Sequence, residues 1–414
     1  DLRRSDHAAF WDRDIPSPPA LVTVKKDGQS IDAVALTTKT GFVFVFDRAT
    51  GKPVYNVIEK QVPTHTDLVG EELSPTQPYP VAPAPFMRQL MTDKDVNPYL
   101  PDSSLKEVKK RMATLRNDHM YNSPSLQGTL EFPGLDGGAE WGGPTWDPET
   151  GLLYINANEM AWQIQSVALD NKAATNENNL QAGERLFKAN CMMCHGADRK
   201  GSGNFPSLIG IGKKYTPAAF DTLLQSGRRM MPAFRQINTD ERKAIASFIL
   251  DLKKEQPKAF VDKASKTNIP YKMPYSIVGY NKFLSKEGYP ALSPPWGTIN
   301  AINLNTGKYA WKKPLGSDPE FPHGKEQSGT GNYGASVVTK GGLLFIGATK
   351  DGMFRAFNKR TGALLWEFKL PFAAYATPSI FELNGKEYIV IACGGGKMNT
   401  HSGDAYVAFA LPGK

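Results

Sequence analysis

The chain has 414 residues, 40% of them hydrophobic and 22% charged, and its 49 Lys/Arg exceed its 41 Asp/Glu to give a net charge of +8. Apolar content on this scale can offset the chain entropy lost on folding, which excludes wholesale disorder, and the length implies roughly two or three compact units. No apolar run approaches the roughly 18 residues of a membrane-spanning helix, and Asp1-Leu2-Arg3-Arg4 is not the start of a leader, so the sequence reads as a mature protein or a piece of one.

The 38 Gly, 31 Pro, 7 Trp and 15 Tyr point to many turns between short, aromatic-rich strands. In chain order, Val45-Phe46-Asp47-Arg48-Ala49-Thr50-Gly51-Lys52-Pro53-Val54 reads as strand, tight Thr-Gly turn, strand. Residues 58–130 are Pro-rich and weakly periodic, and predict long surface loops. Trp146-Asp147-Pro148-Glu149-Thr150-Gly151-Leu152-Leu153-Tyr154-Ile155 is a second partial unit.

A different texture follows at residues 176–257. Residues 180–189 predict a helix running into Cys191, and residues 239–254 predict another, capped by Thr239, with Ile245, Phe248, Ile249 and Leu252 at helical spacing. Between them, Cys191-Met192-Met193-Cys194-His195 has the spacing for two thioether bonds to haem vinyl groups, with His195 under the iron. A Met thioether is the common sixth ligand; Met231 is favoured by the rigid Pro232 after it, with Met230 as the alternative.

Residues 177–255 carry 13 Lys/Arg against 8 Asp/Glu, so most of the positive charge sits in less than a fifth of the chain. The basic residues are scattered and no base-reading motif accompanies them, which argues against nucleic acid and for an acidic protein partner. Arg228 and Arg229 are open to three readings: pairing with haem propionates, bordering a docking face, or ordinary solvated charge.

Residues 259–295 again read as loop. Ala301-Ile302-Asn303-Leu304-Asn305-Thr306-Gly307-Lys308-Tyr309-Ala310-Trp311 then recurs 55 positions on as Ala356-Phe357-Asn358-Lys359-Arg360-Thr361-Gly362-Ala363-Leu364-Leu365-Trp366. A last partial unit starts at Ile380, and Cys393 follows in an apolar strand as core packing. Together these units predict about five four-stranded blades of a β-propeller. The expected organisation is all-β, a propeller at residues 1–175 and 258–414 interrupted by an all-α insertion at 176–257.

The insertion resembles small class I cytochromes c, on Gly183, Phe187, the Cys-x-x-Cys-His motif, Pro206 in Phe205-Pro206-Ser207-Leu208, Met231-Pro232 and the terminal helix. The resemblance implies covalent haem c, a Pro206 carbonyl that accepts the Nδ1 proton of His195, and a periplasmic or other extracytoplasmic location. Trp11-Asp12-Arg13-Asp14, Lys39-Thr40-Gly41, Glu140-Trp141-Gly142-Gly143, Trp296-Gly297 and Gly394-Gly395-Gly396 look like the C-terminal half of membrane-type quinoprotein glucose dehydrogenases. That resemblance implies an eight-bladed-type propeller, present here in part, and pyrroloquinoline quinone (PQQ) with calcium or magnesium. Asp12 falls on the catalytic base and on a cation ligand, Lys39 on the residue contacting the quinone oxygens, and Asn156 on a quinone-contacting amide. Glu140 and Trp141 line the pocket or, for Trp141, pack in the core.

His7-Ala8-Ala9-Phe10 departs from the family pattern just before Asp12, and the family's other cation ligands lie in blades N-terminal to this chain. The expected partners therefore include a missing N-terminal propeller portion or a companion chain, and this chain alone is not expected to hold the quinone. The implied function is a quinohaemoprotein dehydrogenase oxidising a sugar or alcohol, with electrons passed from reduced quinone to haem c and on to a carrier such as a soluble cytochrome. The alternative is a non-enzymatic haem c electron-transfer protein whose propeller serves as a scaffold.

Overall fold

The computed structural model describes residues 13–170, 176–201, 205–261, 273–321 and 328–411. They divide into two compact units. One comprises Asp1–Pro124, Thr129–Gln163 and Lys282–Lys414; the other comprises Ser125–Gly128 and Ile164–Asn281.

Antiparallel sheets dominate the first unit. The first sheet joins Ala20–Lys26, Gln29–Thr37 and Val43–Asp47; the second orders Lys308–Pro314, Gly297–Asn303, Leu152–Asn158 and Thr145–Asp147. A third runs Val337–Val338, Leu343–Ile346, Met353–Asn358 and Leu364–Lys369, and a fourth Ser379–Leu383, Lys386–Cys393 and Ala405–Ala410.

The inner strands of the second sheet bury both faces. Along Leu152–Asn158, Leu153, Ile155 and Ala157 enter one apolar cluster with Val43 and Val45 of the first sheet, while Leu152 and Tyr154 enter another with Leu344 and Ile346 of the third. Alternate residues of one strand thus face neighbouring sheets on opposite sides, as strand geometry requires. The third and fourth sheets share a further cluster containing Phe354, Ile391 and Cys393.

Among the described residues the five expected strand-turn units occupy four sheets, two of them four-stranded, and a further three-stranded sheet joins Thr129–Glu131, Trp162–Ile164 and Asn281–Lys282. Thr-Gly turns overcount blades, because the turns ending at Gly151 and Gly307 belong to the same second sheet, whose register pairs Asn158 with Gly297 across the intervening chain. Residues 58–130 are also not simply surface loop. They contain helix α1 (Asp102–Thr114), whose Ser104, Val108 and Met112 lie buried one turn apart. A narrow apolar stripe in a polar 13-residue helix is hidden when periodicity is averaged over a long Pro-rich stretch.

The second unit holds α2 (Asn179–Asn190), α3 (Met192–His195), α4 (Pro217–Ser226) and α5 (Thr239–Ile249). It extends beyond residues 176–257 because Ser166–Ala168 pairs antiparallel with Tyr275–Ile277. The cap of α5 is Asn238, whose side chain accepts from the Asp240 and Glu241 N–H groups in a capping box, so the expected Thr239 cap is displaced by one residue. The helix stops at Ile249, five residues short of 254, with Asp251 at φ 56° just after it.

Candidate functional site

In the helical unit, α2 crosses α5 closely because Gly183 has no side chain: a Cβ there would come within 2.3 Å of the Ala244 carbonyl oxygen. Phe187 packs its ring 5.5 Å from Phe248 above this crossing. The crossing anchors the end of α2, where Cys191 forms the C-cap and α3 carries Cys194 and His195 onward. Neither thiol is in a disulfide; burial pushes the Cys191 thiol up to about 12 and raises Cys194 too. The Nδ1 of His195 lies 2.9 Å from the Pro206 carbonyl oxygen, an acceptor that requires the proton on Nδ1 and leaves Nε2 as the metal-binding lone pair.

Met231 sits in a tight turn closed by reciprocal backbone bonds with Arg228, at 2.9 and 3.0 Å. Its side chain packs against the core that contains Leu186, Phe187 and Leu224, whereas Met230 is 69% exposed. Arg228 donates to the Tyr215 hydroxyl at 3.2 Å, and both Arg228 and Arg229 are exposed. Two thiols, an oriented imidazole and an inward thioether are a donor set that suits covalent haem.

The β-rich unit gathers a second set. Residues 134–143 form a Gly-rich loop that folds over Lys39: Gly138 N–H donates to the Lys39 carbonyl at 2.8 Å, and a Cβ on Gly137 would strike the Lys39 side chain at 2.3 Å. Lys39 is buried and pairs with Asp14 at 2.7 Å. The end of the loop, at Ala139, Glu140, Gly142 and Gly143, lines a small cleft of about 10 Å³ with Ile155, Asn156 and Gly334.

Glu140 is the electrostatic focus of this cleft. Burial, followed by the nearby Asp136 carboxylate, pushes its carboxyl up to about 7 against the pull of Lys39 and Lys397. Asn156 donates both amide hydrogens within the protein, to Asn332 Oδ1 at 2.6 Å and the Gly334 carbonyl at 2.9 Å. Trp141 is 48% exposed, which removes the core-packing alternative, and stacks on Tyr333 with centroids 6.5 Å apart at 17°. The Tyr333 hydroxyl donates to Asp136 at 3.0 Å, and Lys397 Nζ lies 3.8 Å from the Tyr333 ring centre.

Glu140 and Asn156 therefore line one recess and Lys39 lies under the adjoining glycine loop, while Trp141 is not among the lining residues and Asp12 lies outside the described residues. Among the described residues no three His, Cys, Asp or Glu side chains converge as a metal site. Sequence reading missed Asp14, Asp136, Tyr333 and Lys397; only the density of glycines around residues 134–143 signalled a close backbone approach there.

The chain matches the family described as "PQQ: Glucose/ethanol/alcohol dehydrogenase, beta-propeller domain" over residues 4–197 and 192–389, and it belongs to that family. It is 30% identical over 425 residues to quinoprotein glucose dehydrogenase A of Acinetobacter calcoaceticus, covering 99% of this chain and 42% of that protein. It is 29% identical to the quinate/shikimate dehydrogenase (quinone) of Acinetobacter baylyi, covering 98% of this chain and 41% of that relative. The chain thus spans less than half the length of these relatives. Among solved structures, the quinohaemoprotein alcohol dehydrogenase of Comamonas testosteroni aligns over 98% of this chain and 39% of that one, at 16% identity and a TM-score of 0.45.

Proposed function

We propose that this chain is the C-terminal half of a PQQ-dependent dehydrogenase that oxidises a sugar or alcohol and passes the electrons to a haem c held by the helical unit. The observation that carries the reading is a recess lined by Glu140 and Asn156, with Lys39 packed under the adjoining glycine loop, in a chain of the quinoprotein family.

That wall fits one side of a flat, anionic ring system. It offers Lys39 and Lys397 as cations around Glu140 and the exposed Trp141 ring as a surface. With a void of only about 10 Å³, against the roughly 300–1,000 Å³ of ordinary cofactor pockets, the recess does not by itself enclose a ring system. When bound, PQQ supplies the two-electron acceptor for substrate oxidation, with a divalent cation beside it.

The protein's own groups have separable roles. Asp12 takes the proton of the substrate hydroxyl, a contribution of roughly 10²- to 10⁴-fold for a positioned base. Lys39, charged and paired with Asp14, presents a buried cation to anionic oxygen ligands at the wall. Glu140, poised near neutrality, holds or releases a proton at its carboxyl. In the helical unit, Cys191 and Cys194 tether haem c, His195 and Met231 ligate its iron, and Pro206 fixes the imidazole tautomer. Haem attachment of this type implies a periplasmic location, and the net positive charge of the chain suits an acidic acceptor protein such as a soluble cytochrome.

The test is reconstitution of the whole protein with PQQ and calcium, followed by addition of an aldose, quinate or an alcohol. Haem reduction that requires both quinone and substrate is the expected outcome. A haem that cycles with chemical reductants but never with substrate would favour the non-enzymatic carrier.

A further inference from the structure

Tyr333 is the hub of an aromatic and charged cluster beside the cleft. Its neighbour Gly334 lines the cleft and takes an Asn156 amide hydrogen, while the Tyr333 ring, buried, stacks with Trp141 and meets Tyr375 edge-on with centroids 6.2 Å apart. The Tyr333 hydroxyl donates to Asp136, whose carboxylate also pairs with Lys282 at 3.4 Å. Lys397 Nζ, 3.8 Å from the ring centre, is within cation–π range.

The loop that carries Lys397 is fixed at several points. Gly395 N–H donates to the Ala373 carbonyl at 2.9 Å, and Gly403 N–H to the Gly394 carbonyl at 2.8 Å, which closes residues 394–403 on themselves. Inside this loop the Lys397 carbonyl accepts from the Tyr375 hydroxyl at 3.2 Å, the Thr400 hydroxyl at 2.8 Å and the Thr400 N–H at 3.1 Å. Met398 and Asn399 follow at φ of 52° and 61°, a left-handed backbone that side chains other than glycine disfavour. The Met398 side chain packs on Tyr333, Ala373 and Tyr375, so the tip of the loop is seated on the aromatic cluster.

The ammonium placed this way lacks a counter-ion. Lys39 pairs with Asp14 and Lys282 with Asp136, whereas among the described residues no carboxylate or other protein acceptor receives the Lys397 ammonium. Glu140 feels Lys397 electrostatically, but its carboxyl, pushed up to about 7, carries only part of a negative charge at neutral pH. A half-buried ammonium with three donors to give suits an anionic ligand. Lys39 is shut in under the glycine loop, as the contact of a resident cofactor would be. Lys397 and Trp141 are open to solvent, the side from which a substrate arrives.

We propose that Lys397, held over Tyr333 beside the exposed ring of Trp141, is a subsite for a substrate carboxylate, so that the substrate class is an acidic sugar or other hydroxy acid rather than a neutral sugar or alcohol. The carboxylate meets the ammonium, and the carbon skeleton lies against the Trp141 ring. This narrows the proposed dehydrogenase function and rests on it for the presence of a substrate at this cleft.

Equilibrium binding of matched pairs to the whole protein, by isothermal titration calorimetry with and without PQQ and calcium, tests the proposal. The pairs are glucuronate against glucose and gluconate against sorbitol. Each acid is expected to bind about tenfold more tightly than its neutral counterpart, the scale of one charge-assisted hydrogen bond. Lys397→Met is expected to abolish that preference and Lys397→Arg to keep it, while Trp141→Ala weakens acid and neutral compound alike. Equal binding within both pairs in the unsubstituted protein, or a preference that survives Lys397→Met, would overturn the proposal. So would weaker PQQ binding in Lys397→Met with the preference for acids intact, because the carboxylate held is then the cofactor's. Binding is read without turnover, so failure of the dehydrogenase reading appears separately, as a haem that substrate never reduces.

Discussion

The two candidate sites differ in how far their residues travel along the chain. Cys191, Cys194, His195, Pro206 and Met231 fall within 41 consecutive residues, whereas Lys39, Glu140, Asn156 and Gly334 span nearly 300. The first set is placed by one helix crossing, at Gly183, and by one tight turn. The second exists only when a glycine loop lies on Lys39 and the chain at residues 332–334 holds the Asn156 amide. A compact motif thus depends on local packing, and a dispersed cleft depends on the register of whole sheets.

The contrast breaks or sharpens under four tests, taken from the largest effect downward. Replacing Cys191 and Cys194 together by Ser removes both tethers, so haem that survives acid-acetone extraction should vanish while the β-sheet circular dichroism stays. Retention of covalent haem would show that the motif does not attach it. Next, Lys39→Ala in the whole protein should lower kcat by about 10²- to 10³-fold, the scale of a lost electrostatic stabiliser, with the reduced haem spectrum unchanged. A loss below about twofold would remove Lys39 from the chemistry.

Met231→Ala should abolish the Met–iron charge-transfer band and lower the haem midpoint potential, while Met230→Ala leaves both as they were, because only Met231 packs inward. The reverse pattern would exchange the two ligands.

The smallest effect concerns Glu140. Its folded carboxyl is raised from 4.5 to about 7, so between these values the folded state holds more protons than the unfolded one, and stability falls as pH rises through this window. After allowance for solvent screening this amounts to about 2 kcal/mol, which Glu140→Gln should eliminate. Urea unfolding of both proteins at pH 5 and pH 8 measures it; parallel pH profiles would mean that Glu140 is solvated.

Much of the helical unit was readable in advance because its signals are short-range. Helix α2 is predicted to within one residue at each end, and the link from His195 to Pro206 follows from the cytochrome resemblance. Asn238 displaced the expected Thr239 cap because either side chain can cap a helix and only the backbone at that position selects between them. In the β-rich unit the strand-turn-strand repeats were readable and the blade count was not. Nothing local to the Gly151 and Gly307 turns shows that a register across more than 100 residues puts them in one sheet.

The sequence by itself determined the chemistry on offer: which residues can tether and ligate a haem, and which turns between strands carry Thr-Gly. These follow from covalent spacing and side-chain periodicity, properties of neighbouring residues. Only the tertiary structure decided that Glu140 and Asn156 share one cleft, that Lys39 lies under the adjoining glycine loop, that Trp141 stands partly in solvent, and that Trp311 is covered while Trp366 is not. Those outcomes depend on which distant segments meet, and burial, the term that raises the Glu140 carboxyl and buries Trp311, has no value until they do.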